Sequence, residues 1–211
     1  MMAGDKVARW NCVAFFLRRL VLIDPIVPLI AEDDLDPTFT SYIAERRKIR
    51  DWVPNNVYAL ANAPELGLSA RGIFDDAQSV GSLSRELRYL IRHVVSNANA
   101  GRYCMTHQVN WLKRLGVSKE RMRDATTAED SSHFTDREKA ALSYAKALTF
   151  DAANVPEPVY DALEAHFTPQ ERVEITLVAA AMNMINIVND GLRLPLEDAA
   201  LAAYAEATAE S

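Results

Sequence analysis

LSRELRYLIRHVVSNANAGRYCMTHQVNWLKRL, residues 83–115, is the stretch whose reading decides the fold. Leu83, Leu87, Leu90, Ile91, Val94, Val95 and Ala98 recur at helical spacing, so 83–98 reads as a helix with one buried stripe. Ser82 or Ser84 can cap its start, and Glu86 falls in the first turn, where the helix dipole favours a negative charge. The break at Asn97–Gly101 is followed by a second helix from about Arg102 to Leu115. Cys104, Gln108, Trp111 and Leu115 share one face of it, and His107 stands one turn from Cys104. A thiol at a helix start beside an imidazole, backed by a buried helix, is a reaction centre or ordinary packing.

Working outward, helix signals fill both flanks. Asp36-Pro37 is a cap followed by proline at the first helical position, opening a helix that ends at Trp52-Val53-Pro54. A short helix over 56–61 follows, then one from Pro64 to near Gly81 carrying Leu66, Ile73, Phe74, Ala77 and Val80. On the other side come a short helix from Ser118 to about Ala125 and a polar surface loop over 126–132. Thr135-Asp136-Arg137-Glu138 and Thr168-Pro169-Gln170-Glu171 are capping boxes. The first opens a helix to about Thr149, and a helix over 159–167 lies between the two. The second opens the longest helix, through Val173, Leu177, Ala181, Met184 and Val188 to near Gly191. No segment alternates as a strand does, so the chain reads as an all-α bundle of eight or nine helices. Residues 1–29 read as a loosely ordered N-terminal extension, 30–197 as one domain, and 198–211 as an alanine-rich tail that frays.

The 211 residues suffice for one well-buried core, and 49% apolar with 25% charged residues is the balance of a water-soluble globular protein. A net charge of -6 argues against nucleic acid as the main partner, since phosphate binding needs a basic face. Two cysteines, Cys12 and Cys104, make no disulfide framework and point to a reducing, cytoplasmic setting. The apolar run over 7–30 is broken by Arg18-Arg19 and Asp24-Pro25, so neither a signal peptide nor a membrane span is expected there. No metal-ligand spacing, glycine-rich phosphate loop or nucleophile elbow is present, and no metal or cofactor is expected.

The order of signals resembles the carboxymuconolactone decarboxylase superfamily, which includes the alkyl hydroperoxidase D-like (AhpD-like) proteins. The matching pieces, in order, are Trp52-Val53-Pro54-Asn55, Pro64-Glu65-Leu66, the Leu87–Val95 helix, Gly101-Arg102-Tyr103-Cys104, Leu115-Gly116-Val117-Ser118, Phe134–Glu138 and Phe167–Glu174. The resemblance implies an AhpD-like multi-helix orthogonal bundle, a homo-oligomer (dimer, trimer or hexamer) and a small-molecule substrate. AhpD-like peroxidases carry a Cys-x-x-Cys pair, a histidine four residues after its second cysteine and a glutamate twelve before its first. On this chain those positions hold Gly101 and Cys104, Gln108 and Tyr89. His107 matches the first of two adjacent histidines frequent in the longer decarboxylase-like members.

The candidate catalytic residues are therefore His107, Cys104, Tyr89 and His93, with Arg102, Gln108 and Trp111 as substrate-binding candidates. A thiol near a helix start beside Arg102 is expected to be acidified, or else it is a buried small hydrophobe. His107 is a general acid or base, or a packing histidine. Tyr89, His93 and Asn97 form a polar strip that lines a pocket or edges a solvated face. Asn183, Asn186, Asn189 and Asp190 interrupt the last long helix, where helix-end and subunit contacts are their expected role. The resemblance favours cofactor-free acid–base chemistry on a small organic acid or lactone, as in aromatic-compound catabolism. A Cys104-dependent peroxidase and a non-catalytic ligand-binding member are the alternatives.

Overall fold

The computed structural model describes residues 24–49 and 52–208, and no strand occurs among them. Ten α-helices do: α1 (Pro37–Arg47), α2 (Asn55–Leu60), α3 (Pro64–Ser79), α4 (Arg85–Ala98), α5 (Arg102–Arg114), α6 (Lys119–Asp124), α7 (Asp136–Phe150), α8 (Glu157–His166), α9 (Pro169–Gly191) and α10 (Asp198–Thr208). The caps follow the sequence. Asp36 accepts from the Thr38 amide and Ser84 from that of Leu87, and both capping boxes form in full at Thr135 and Thr168.

α4 is the axis of the molecule. It packs against α5, α7 and α9, and every residue from Leu87 to Ser96 is buried, so the expected single stripe is corrected to burial all round. Its charged residues therefore lie inside. Arg88 reaches Glu174 at 3.1 Å, and that carboxylate also accepts from the Ser82 and Leu83 amides, tying the start of α4 to α9.

Two faces are rotated from their expected setting. α3 turns Gly67, Arg71 and Phe74 inward and leaves Leu66, Ile73 and Val80 exposed. α9 buries Ile175, Val178, Met182 and Ile185, while Val173 and Leu177 face out. The expectation holds in part in both helices, since Phe74 and Ala181 are buried and Ala77 and Met184 pack against the core. Residues 126–132, expected as a surface loop, include the 3-10 turn Ala125–Asp130, in which Ala125 and Ala128 are buried. The stretch expected to fray is α10, which packs on α5 with Ala200 and Tyr204 in the core. The N-terminal extension up to residue 23, with Cys12, lies outside the described residues. From 24 on it follows the domain, with the Ile26 amide bonded to the Leu192 carbonyl at 3.1 Å. No described helix is long and apolar enough to cross a membrane.

Candidate active site

A cavity of about 460 Å³ opens where α3, α4 and α5 meet over the middle of α9. Phe74 and Gln78 come from α3, Tyr89 and Arg92 from α4, and Cys104, His107, Gln108 and Trp111 from α5. Five of the seven candidate residues thus share one cavity: Tyr89, Cys104, His107, Gln108 and Trp111.

His93 and Arg102 do not line it. The His93 ring points the other way, its Nε2 3.0 Å from the Met122 carbonyl, and burial pushes its pKa down to about 4, so it is a neutral core group at pH 7. Asn97 continues no polar strip into the cavity but donates to the His93 carbonyl. Arg102 is the first residue of α5, where its charge acts on Asp190.

Cys104 is 3% exposed. Burial pushes its thiol up to about 12; the Asp190 carboxylate adds to this, against the Asn189 amide that donates to Sγ at 3.1 Å and the charges of Arg92 and Arg71. The expected acidified thiol is therefore corrected to a neutral one, because desolvation of a thiolate outweighs the helix start and its neighbours. Gly101, at the first cysteine position of the peroxidase pattern, packs so closely on α9 that a Cβ there would overlap the Asn186 side-chain oxygen.

His107 is held at three points. Its Nε2 lies 3.0 Å from Glu197 Oε2, its ring stacks 4.6 Å from that of Tyr103, and Trp52 closes the other side at 5.4 Å. Glu197 sits in the turn between α9 and α10. It also accepts from the Tyr103 hydroxyl and the Asn55 amide. Burial alone would raise the Glu197 pKa, but the His107 pair and these two donors outweigh it and hold the carboxyl below its ordinary range. Among the described residues no group bonds His107 Nδ1. The ring also borders a smaller hollow of about 300 Å³ shared with Trp52 and Trp111.

Glu197 went unnoticed in the sequence because it lies 90 residues from His107, in a stretch that reads as the start of a tail. Arg71 and Arg92, both buried against the cavity, were missed because a charged residue inside a helix is ordinarily assigned to its wet face. Among the described residues no group of three or more His, Cys, Asp or Glu side chains is placed to hold a metal ion.

The carboxymuconolactone decarboxylase family model matches residues 68–147, the segment that contributes Arg71, Arg92, Cys104 and His107. This match and the AhpD-like solved structures support the carboxymuconolactone decarboxylase/AhpD-like superfamily. A cysteine-to-alanine variant of the debrominase Bmp8, in complex with 2,3,4-tribromopyrrole, shares the fold at a TM-score of 0.77 with 21% identity, over 89% of this chain and 99% of that one. So does the alkylhydroperoxidase AhpD core of an uncharacterized peroxidase-related protein from Ralstonia eutropha JMP134, at a TM-score of 0.75 and 20% identity over 90% of this chain and 100% of that one. In sequence, the uncharacterized protein YdfG of Bacillus subtilis (strain 168) is 23% identical over 109 residues, which are 51% of this chain and 74% of that protein.

Proposed function

We propose that the protein catalyses a cofactor-free acid–base step on a small carbonyl compound in the 460 Å³ cavity, with His107 as the proton-transfer group. The observation that carries this reading is the His107–Glu197 pair at the cavity wall. A buried carboxylate on Nε2 fixes the tautomer with the proton there and leaves Nδ1 as a free base, the arrangement in which an imidazole can take and return a proton. In a decarboxylation of this kind the carbon–carbon bond breaks and its electron pair moves into the substrate carbonyl. Carbon dioxide leaves, and His107, having taken the proton of the substrate's carboxylic acid on Nδ1, returns that proton to carbon and is neutral again. Glu197 positions His107 and offsets the imidazolium charge. A shared fold with a protein seen bound to a brominated pyrrole is consistent with a small flat substrate.

The test is turnover of a panel of lactones and keto acids by wild type, His107→Ala and Cys104→Ser. The expected result is a loss of roughly 10²–10⁴-fold in His107→Ala with activity retained in Cys104→Ser. A second reading, thiol chemistry at Cys104, rests on the placement of Sγ in the cavity lining under the Asn189 amide. Peroxide reduction or dehalogenation abolished by Cys104→Ser and spared by His107→Ala would replace the first reading with the second.

Assembly with a second copy of the chain is proposed through α9, where Val173, Leu177 and Ile187 are 59%, 57% and 72% exposed. Light scattering at micromolar concentration is expected to give a multiple of the chain mass, and a monomer mass would contradict it.

A further inference from the structure

Among the described residues, five arginines line the cavity (Arg46, Arg71, Arg85, Arg88 and Arg92) against a single carboxylate, Asp75. Four of them are accounted for. Arg46 and Arg71 share Asp75 at 3.4 and 3.0 Å, Arg88 pairs with Glu174 at 3.1 Å, and Arg85 is exposed at the rim. Arg92 is different. It is 3% exposed, and no carboxylate among the described residues pairs with it. Its guanidinium lies between the faces of Tyr89 and Phe74, 4.4 and 4.7 Å from their centroids. Nη1 donates to the Gln78 side-chain oxygen at 2.8 Å, and Nε has no partner.

Burying a guanidinium without a counter-charge is costly, and neither a neutral amide nor two ring faces repays it. Arg71 is stacked on the same Phe74 ring at 4.9 Å, so two buried cations converge where Asp75 balances only part of the charge. Four further buried polar atoms of residues lining this cavity are left open, Arg46 Nε and the side-chain oxygens of Gln108, Asn56 and Asn189. The walls beside the arginines are aromatic, with Tyr89 and Trp111 5.5 Å apart.

We propose that Arg92, assisted by Arg71, is the anion-binding group of this cavity, and that its ligand is a flat ring bearing a carboxylate. The proposal rests on the cavity being the substrate site and adds the ligand's charge and shape. The carboxylate supplies the missing counter-charge, with planar N–H donors facing it as a fork. The ring lies against the aromatic wall, with Gln108 and Asn56 offering acceptors to ring hydroxyls. Arg92 thus takes the substrate-binding role expected of Arg102, which does not line the cavity.

The test is calorimetric titration of full-length wild type, Arg92→Met and Arg92→Lys with benzoate and with benzamide, its neutral counterpart. Wild type is expected to prefer benzoate by at least about thirtyfold, Arg92→Met to lose the preference and Arg92→Lys to keep part of it. In ligand-free buffer Arg92→Met is expected to melt above wild type, because it removes an uncompensated buried charge. Equal binding of the two probes by wild type, or an Arg92→Met that melts lower and keeps the preference, overturns the proposal. Neither outcome touches the role of His107, which is read separately from turnover of the lactone and keto-acid panel.

Discussion

The cavity has two corners of opposite character. At one, His107, Tyr103 and the Asn55 amide converge on Glu197, and every donor finds its acceptor. At the other, Arg71 and Arg92 stack on Phe74 with one carboxylate between them, and Arg92 keeps an unpartnered Nε. A satisfied network stiffens and orients a group; an unsatisfied one stores a demand that a ligand can meet. The difference suggests a division of labour, in which the first corner sets the geometry of proton transfer and the second selects what enters.

The largest effect that would break this comparison is loss of the acidic corner's acceptor. Glu197→Ala leaves His107, Tyr103 and the Asn55 amide without their common partner, and we expect a loss of about 3 kcal/mol in urea unfolding. A change below about 1 kcal/mol would mean that the corner does not hold α10 and the α1–α2 connection in place.

His93 supplies a contrast in pH. Its folded pKa, about 4, lies below its ordinary 6.5, so the unfolded chain binds the extra proton first. Its contribution is complete above pH 6.5 and is lost as pH falls toward 4, by roughly 3 kcal/mol. Glu197, also held below its ordinary range, adds to the loss only below the unfolded carboxylate value of about 4.3. His93→Leu is expected to flatten the upper part of that decline in stability curves measured between pH 7 and 4, and an unchanged profile would count against a buried neutral ring.

The two corners should also respond with opposite sign. While Glu197→Ala destabilises, Arg92→Met is expected to raise ligand-free stability by about 1 kcal/mol. The smallest expected effect concerns the thiol between them. With its pKa pushed up to about 12, Cys104 should resist iodoacetamide in the native protein at pH 8 and react once urea unfolds the chain. Rapid native labelling would reopen the thiol reading.

Much of the helical frame was legible, because caps and breaks are local. Asp36, Thr135 and Thr168 sit where their side chains close the first turn, and Pro37, Pro64 and Pro169 stand within it. The cavity wall was legible on α5, where a helical face brings Cys104, Gln108 and Trp111 together. What escaped were the inward polar groups. On α3 the buried face runs through Gly67, Arg71 and Phe74; an apolar criterion finds Phe74 but also selects Leu66, Ile73 and Val80, which are 74%, 58% and 62% exposed, and misses Arg71. Charge says nothing about burial when the partner is far away in sequence, as Glu174 is from Arg88 and Glu197 from His107. The thiol was misjudged for a related reason: its pKa is set by depth in the core, which helix position does not reveal.

The central claim, that Glu197 presents His107 as a free base, is tested most directly by long-range nitrogen–proton NMR of histidine-labelled wild type at pH 7.5. His107 is expected to carry its proton on Nε2 with Nδ1 unprotonated, and Glu197→Gln to disturb this pattern. A neutral ring protonated on Nδ1 in wild type, or a spectrum indifferent to Glu197→Gln, would contradict it.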